Sequence, residues 1–419
     1  MVADSSLRMW YSPRETEWRG CPAMNLVLGL TGSFGSGCTT IAQILSETQS
    51  YYFASLSAPI KQVAKDKGLK EDRGTLQQLG NELRKAYGRE YLARQAVERA
   101  KDALSKGPLV LDGIRNMGEV AWLRSQFPAF FLIAVDARYE VRWARLRTRY
   151  GKNEGAFEEE DERDRGEPDL WGQQVAACVD AADAFLLNEE DFSDDAAVKK
   201  AFTSKLVDYV SLMNEPGRRR PDHDELLMDH AYSASLRSDC LKRQVGAVIA
   251  TSDHAVVASG YNNVPHCEAG CQERYEECYR DKIRSGYYAL LDKLKCRCGE
   301  ALQRVDSCSN CGADLRPLHG WGKALDYCRA LHAEERAILQ VSRFGGVGLQ
   351  GTTIYTTTFP CLMCANKIVH AGIAEVVYVE AYPMKEATAL LQNAGVAVRR
   401  FEGIKAQAFH KLFRRAETL

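Results

Sequence analysis

Net charge is almost absent from this chain: 55 Lys and Arg stand against 56 Asp and Glu, leaving −1 over 419 residues. Bulk electrostatics therefore supply no attraction for nucleic acid or an anionic bilayer. Long hydrophobic runs are missing too. The longest apolar stretch near the N-terminus, Leu26 to Leu30, has the length of a buried strand, and nothing approaches the ~20 apolar residues needed to span a bilayer. The first residues carry Arg8, Arg14, Glu15, Glu17 and Arg19 without an apolar h-region, so no signal peptide is expected and the chain reads as cytoplasmic, with no membrane partner. Internal repeats and low-complexity tracts are absent.

What is abundant is cysteine, 14 residues in all. With no export signal, and with several cysteines paired two or three apart, they read as metal ligands in a reducing compartment rather than as disulfides. The 45% hydrophobic and 26% charged content is that of a soluble globular protein, long enough for two or three domains.

Residues 1–24 are polar and irregular and read as a loose arm. From residue 25 to about 213, short apolar runs (Leu26–Leu30, Leu109–Leu111, Phe130–Val135) alternate with amphipathic stretches at 76–104 and 138–149. Such alternation implies a parallel α/β sheet. The acidic and basic segment Gly151–Arg165 reads as a solvated loop, with a mobile lid as the sharper alternative. Asn214-Glu215-Pro216-Gly217 and the basic run to Pro221 form the best domain boundary, a linker over 214–221. A second α/β pattern fills 222–403: a helix over Asp224–Arg237, strands at Gly246–Ala250 and Val256–Ser259, and later strands at Thr353–Thr357 and Val376–Val379. An insertion over about 264–327 interrupts it and holds seven cysteines. A C-terminal helix is expected over 404–419.

His332-Ala333-Glu334 opens one apolar helical stretch, and Pro360-Cys361-Leu362-Met363-Cys364 opens another. This is the H-x-E…P-C-x-x-C pattern of zinc deaminases. Cys361 and Cys364, three apart on a first turn, can face one ion. With His332 they fill three tetrahedral positions and leave the fourth open to solvent. Helix N-termini favour the thiolates. Glu334, two residues past the imidazole, can move protons without being a ligand. The bland alternative is a structural zinc site with no catalysis.

At this point the sequence resembles the deoxycytidylate deaminase family. The resemblance runs from about Asp224 to Phe401, the insertion excepted. It is carried by Gln244-Val245-Gly246-Ala247-Val248, Gly260-Tyr261-Asn262-Asn263-Val264-Pro265, the two metal motifs, Glu386-Ala387-Thr388-Ala389 and Ala394-Gly395-Val396. The resemblance implies free deoxycytidine nucleotides as substrates, with Asn262 holding the sugar. Arg243 is a candidate phosphate contact, or simply a surface arginine.

In the insertion, Cys296-Arg297-Cys298-Gly299 and Cys308-Ser309-Asn310-Cys311-Gly312 form two half-knuckles. Four thiolates suit a closed structural Zn2+, and glycine after each pair frees the backbone to turn. Cys267, Cys271 and Cys278, with His266 adjacent, read as one helical face. They are either a further metal site or an apolar packing face. Cys328 reads as core.

Near the N-terminus, Gly32-Ser33-Phe34-Gly35-Ser36-Gly37-Cys38-Thr39 has the spacing of a phosphate-binding loop between a strand and a helix. Cys38 stands where the lysine belongs. Gly32, Gly35 and Gly37 are the expected phosphate cradle, while Thr39 and Asp112 could hold Mg2+ beside a second bound nucleotide. Residues 73–92, with Leu76, Gln77, Leu79, Gly80 and Arg84, resemble the substrate segment of deoxynucleoside monophosphate kinases. The stretch from Asp136 to Arg149 resembles their arginine-bearing lid.

The fold expected is thus α/β: an N-terminal P-loop kinase-like parallel sheet domain, followed by an α/β/α cytidine-deaminase-like domain with a zinc-binding insertion. The two-domain order resembles the bacterial anti-phage dCTP deaminases. That resemblance implies dCTP depletion during infection and an inhibitory RNA partner in a toxin–antitoxin-like arrangement; a homo-oligomer is expected as well. The alternatives weighed are a housekeeping dCMP deaminase, a polynucleotide cytosine or adenosine deaminase, and a sensor in which both domains only bind.

Overall fold

The computed structural model describes residues 26–167, 169–189, 196–265, 267–291, 293–300, 307–313, 327–345, 348–379 and 384–413. The expected arm at 1–24, His266, and part of the cysteine-rich insertion lie outside the described residues. Contacts divide the chain into two compact units, Met1–Leu132 with Gly155–Cys178, and Ile133–Glu154 with Val179–Leu419.

In the first unit, β1 (Val27–Gly32) is buried along its whole length, as a central parallel strand covered on both faces must be. α1 (Cys38–Gln49) follows it. β2 (Tyr52–Ser55) and β1 both pair in parallel with β3 (Leu109–Asp112), with Tyr52 and Val27 each opposite Leu109. The amphipathic stretch expected over 76–104 is broken into separate helices, beginning with α2 (Arg73–Tyr87). Asp72 caps α2 by accepting from the Thr75 amide at 2.9 Å. That is the usual way a short polar side chain satisfies an orphan N–H.

One expectation fails here. The segment Gly151–Arg165 is not a solvated loop: α3 (Glu154–Arg165) spans most of it and buries Phe157, Asp161 and Asp164. The charges that suggested solvation are spent partly on ion pairs with Arg73 and Arg115.

In the second unit, β4 (Phe130–Asp136) pairs in parallel with β5 (Ala184–Leu187) from Ile133 onward. The expected lid stretch holds a helix at Tyr139–Leu146. The stretch around 214–221 is tied down: the Gly217 amide donates to Leu412 O at 2.7 Å, and Arg219 pairs with Asp208 and Glu225. α4 (His223–Ser235) starts with a capping box between Asp222 and Glu225.

A five-stranded sheet follows, in the order β10-β9-β8-β6-β7. Its strands are β6 (Gly246–Ala250), β7 (Val256–Tyr261), β8 (Thr353–Thr356), β9 (Glu375–Tyr378) and β10 (Ala397–Arg400). β6 is antiparallel to both β7 and β8, whereas β8, β9 and β10 run parallel. α5 (Ala333–Phe344) and α6 (Leu362–His370) pack on it; Ala333, Ala337, Ala365 and Ile368 join Ile249, Ile354 and Val376 in one core. Two glycines set the closeness of that packing. A Cβ on Gly246 would strike the carbonyl of Ala231 in α4, and one on Gly260 would strike the carbonyl of Ala333 in α5. β11 (Gly403–Ile404), which the sequence did not announce, pairs antiparallel with β5. α7 (Ala406–Phe413) closes the described residues; it starts after the strand that takes Ile404, and 414–419 of the helix expected over 404–419 lie outside the described residues. Among the described residues, no helix is long and apolar enough to cross a membrane.

Candidate active site

His332 is the N-cap of α5 and Cys361 the N-cap of α6, so two helix starts converge on one point. The placement has local causes. The Asn263 and Leu331 backbones form an isolated antiparallel bridge, with N–H to O distances of 3.2 and 3.0 Å, which anchors the residue before His332. The Thr357 amide donates to Gly246 O at 3.0 Å, and the Gly246 amide donates to the Thr357 hydroxyl at 3.1 Å. These bonds hold the loop that delivers Cys361. An ion pair between Lys367 of α6 and Glu335 of α5, 2.8 Å, clamps the two helices.

The result is a tight trio. His332 Nδ1 lies 3.3 Å from Cys361 Sγ and 3.4 Å from Cys364 Sγ. One ligand atom from each residue falls within 4.8 Å of the others, close enough to share one tetrahedral ion. Two sulfurs and an imidazole nitrogen at two helix N-termini form a donor set suited to zinc. The Cys364 thiol, hydrogen-bonded to Cys361, lowers the latter to about 4, and its own titration is pushed far up. The Cys361 partner raises His332. Glu334, on the first turn of α5, is 3% exposed, and burial pushes its carboxyl up to about 7. A carboxyl titrating near neutrality can both take and give a proton.

Asn262 is 9% exposed. Its amide is engaged with backbone: Oδ1 accepts from the Val245 amide at 2.7 Å, and Nδ2 donates to Arg243 O at 2.9 Å. It thereby ties the loop carrying the exposed Arg243 to the end of β7. One donor and one acceptor position of the amide remain.

The four insertion cysteines also come together. Cys296 Sγ lies 3.5 Å from Cys311 Sγ, and Cys298 Sγ lies 3.6 Å from Cys308 Sγ. All four sulfurs fall within 4.8 Å of one another. A glycine closes each turn, over three residues in one and four in the other: the Gly299 amide donates to Cys296 O at 2.7 Å and the Gly312 amide to Cys308 O at 2.9 Å, with φ of 90° and 69° at the two glycines. The other cysteine reading needs correction. Cys267, Cys271 and Cys278 do not share a helical face, because the helix beginning at Cys271 ends at Tyr275, where Glu276 takes a left-handed φ of 60°. Cys328 is half-buried rather than core; with Cys240, Cys271 and Cys278 it lines a small cavity of about 30 Å³.

In the first unit the phosphate loop has the expected shape, with φ of 84° at Gly35 and 95° at Gly37, the latter capping α1. The Thr39 hydroxyl donates to Asp112 Oδ2 at 2.7 Å. Cys38 sits beside them, its thiol pushed up to about 12 by burial and by the Asp112 charge. Arg84 is spent on a buried pair with Glu119 at 2.9 Å. The sequence reading passed over Arg73 and Asp164, which meet in this unit, and over the Glu335–Lys367 clamp. No local pattern marked Asp164, which stands among the many charges of its helix.

Comparison with known proteins agrees with this geometry. Residues 221–380 match the family described as the cytidine and deoxycytidylate deaminase zinc-binding region, and residues 28–166 match an AAA domain. The deoxycytidylate deaminase of Schizosaccharomyces pombe is 31% identical over 297 residues, covering 70% of this chain and 76% of that protein. That of Saccharomyces cerevisiae is 36% identical over 184 residues, 43% of this chain and 46% of that one. That of Mycobacterium phage D29 is 35% identical over 159 residues, 38% and 95% respectively.

Proposed function

The chain belongs to the deoxycytidylate deaminase family, and on that footing we propose that it hydrolyses free cytosine deoxynucleotides, dCTP to dUTP and dCMP to dUMP, depleting dCTP as an antiviral defence against phage. The observation that carries the chemistry is the convergence of His332, Cys361 and Cys364 at two helix starts beside the buried Glu334. Those three residues hold the catalytic zinc, which when bound supplies a Lewis acid that makes water nucleophilic at neutral pH. Glu334 takes a proton from the attacking water and passes it to the ring nitrogen. It then carries the second water proton to the departing amine. Water adds to C4, the C4–N4 bond breaks, a C4 carbonyl remains and ammonia leaves. Asn262 orients the sugar with its remaining donor and acceptor, and Arg243 meets phosphate. Cys296, Cys298, Cys308 and Cys311 hold a second, structural zinc.

The first unit serves as a nucleotide sensor rather than a kinase. Gly32, Gly35 and Gly37 cradle phosphates, and Thr39 and Asp112 hold Mg2+ with the nucleotide. Without a lysine at Cys38, the charge of transferring phosphates is poorly neutralised. An inhibitory RNA partner, which rests on resemblance to anti-phage deaminases, completes the reading, together with a homo-oligomer and a cytoplasmic location.

A second reading has an observation in its favour. The S. pombe match covers 297 residues, more than the deaminase family match over 221–380, so the likeness to a protein named deoxycytidylate deaminase extends beyond the deaminase region. A dCMP deaminase serving thymidylate supply fits that. Assay of the purified chain against dCMP, dCDP, dCTP, CTP and single-stranded DNA separates the two. Turnover of dCTP is expected. Turnover of dCMP alone overturns the defence reading, and turnover of single-stranded DNA alone overturns both.

A further inference from the structure

The proposed chemistry leaves a charged cluster in the first unit unused. α3 carries seven acidic and two basic side chains in 12 residues, a composition that ordinarily stays in water. Asp164 is nevertheless fully buried, at 0% exposure. Its Oδ1 accepts from Arg73 Nη2 at 2.7 Å and also from Arg115 Nη1. Its Oδ2 is buried with no hydrogen-bond partner among the described residues.

Both arginines border the phosphate loop. The Arg73 guanidinium lies 3.6 Å from the ring centroid of Phe34, a residue of that loop. Phe157 of α3 packs against the same ring, with centroids 5.9 Å apart. Arg115 stands three residues beyond Asp112, the partner of Thr39. The Asp164 charge also reaches Cys38, the residue at the missing lysine's position.

Two guanidiniums on one oxygen of a buried carboxylate make an incomplete arrangement. Each fork offers parallel donors suited to several oxygens of one anion, and a buried oxygen without a donor carries a desolvation cost. A phosphoryl group, with more charge and more acceptor oxygens, would engage both forks beyond the contacts that Arg73 makes with Glu160 at 3.0 Å and Arg115 with Gln173 at 3.2 Å. We propose that Asp164 stands in for a phosphoryl group, and that a nucleoside phosphate enters the first unit by displacing it from Arg73 and Arg115, freeing α3 from the phosphate loop. The proposal rests on the nucleotide-binding reading of that unit and adds which side chain the nucleotide displaces.

Inorganic tripolyphosphate, which carries phosphates without a base, tests it on the full chain. In the unaltered protein, saturation should speed amide exchange across residues 154–165. Asp164→Asn should bind the probe at least about tenfold more tightly by calorimetry, a 1.4 kcal/mol change. Adding Gly37→Asp should abolish that binding, which excludes capture by the deaminase pocket. Gly37-dependent binding that slows exchange over 154–165, or leaves it unchanged, overturns the displacement while sparing the nucleotide reading. No Gly37-dependent binding in either protein overturns both. Because the exchange experiment uses the unaltered chain, instability of Asp164→Asn cannot obscure the result.

Discussion

Two clusters of sulfur ligands lie in the second unit, and they are built by opposite means. The trio of His332, Cys361 and Cys364 hangs on regular structure: two helix starts, a five-stranded sheet, a glycine that lets α5 touch β7, and an interhelical ion pair. The quartet of Cys296, Cys298, Cys308 and Cys311 hangs on two short turns; among the described residues, Ala313 is the hydrophobic side chain packed against its two buried cysteines. The first cluster offers three ligands with the buried Glu334 beside them; the second offers four. A site preformed by packing can leave a coordination position open for chemistry. A four-thiolate site hung on two turns draws its stability from the metal it closes around.

The sharpest way to break that contrast is Cys361→Ala. It should abolish deamination and remove one zinc per chain while the second stays, as read by metal analysis beside turnover. Full activity in this variant would remove the proposed ligand set. Next in size is Glu334→Gln. Positioned proton transfer contributes ~10²–10⁴-fold, so turnover should drop by at least that much, with zinc content and substrate binding unchanged. A parallel loss of zinc would mean that Glu334 is a ligand, and the distinction between its role and that of His332 would collapse.

Cys308→Ser probes the other cluster. Structural zinc contributes an apparent ~10–16 kcal/mol in small domains, so losing one thiolate should cost several kcal/mol of local stability. Limited proteolysis should cut within the insertion, while turnover per folded molecule stays near normal. A drop in turnover matching that of Cys361→Ala would erase the division between chemistry and fold. The smallest effect is expected from Gly260→Ala. Its new methyl would press on the Ala333 carbonyl, and overpacking of this kind costs about 1–3 kcal/mol. Because the push falls on the first turn of α5, turnover should fall more than the melting temperature would suggest. An unaffected enzyme would mean that α5 can shift without disturbing His332.

Both clusters were legible in the sequence because ligand spacing is local: a pair two or three residues apart fixes its own geometry once a turn or a helix start follows. The phosphate loop was legible for the same reason. Long-range partners were not. Gly151–Arg165 looked solvated because its charges are plain in the sequence, whereas Arg73 and Arg115, which bury Asp164, lie 91 and 49 residues away. The helical face drawn through Cys271 and Cys278 failed at one residue, Glu276, whose left-handed backbone no periodicity reveals. Asn262 was singled out for a sugar, and the spacing gave no sign that its amide also braces the backbone at Arg243 and Val245.

The two-residue strand β11 has a consequence in time. It completes the edge of β5, with Gly403 opposite Phe185 and Ile404 opposite Ala184. The buried Lys405 then locks the junction by donating to the carbonyls of Val179 and Asp180, both at 2.9 Å. On a ribosome adding about 5–20 residues per second, the more than 200 residues between these strands take roughly 10–40 s to appear. Through that interval the nascent chain carries β5 with a bare edge, open to pairing with another copy. A chaperone that waits on the emerging polypeptide, or slow codons placed after β5, would act on this window. Trimming the gene just before Gly403 would make the exposure permanent.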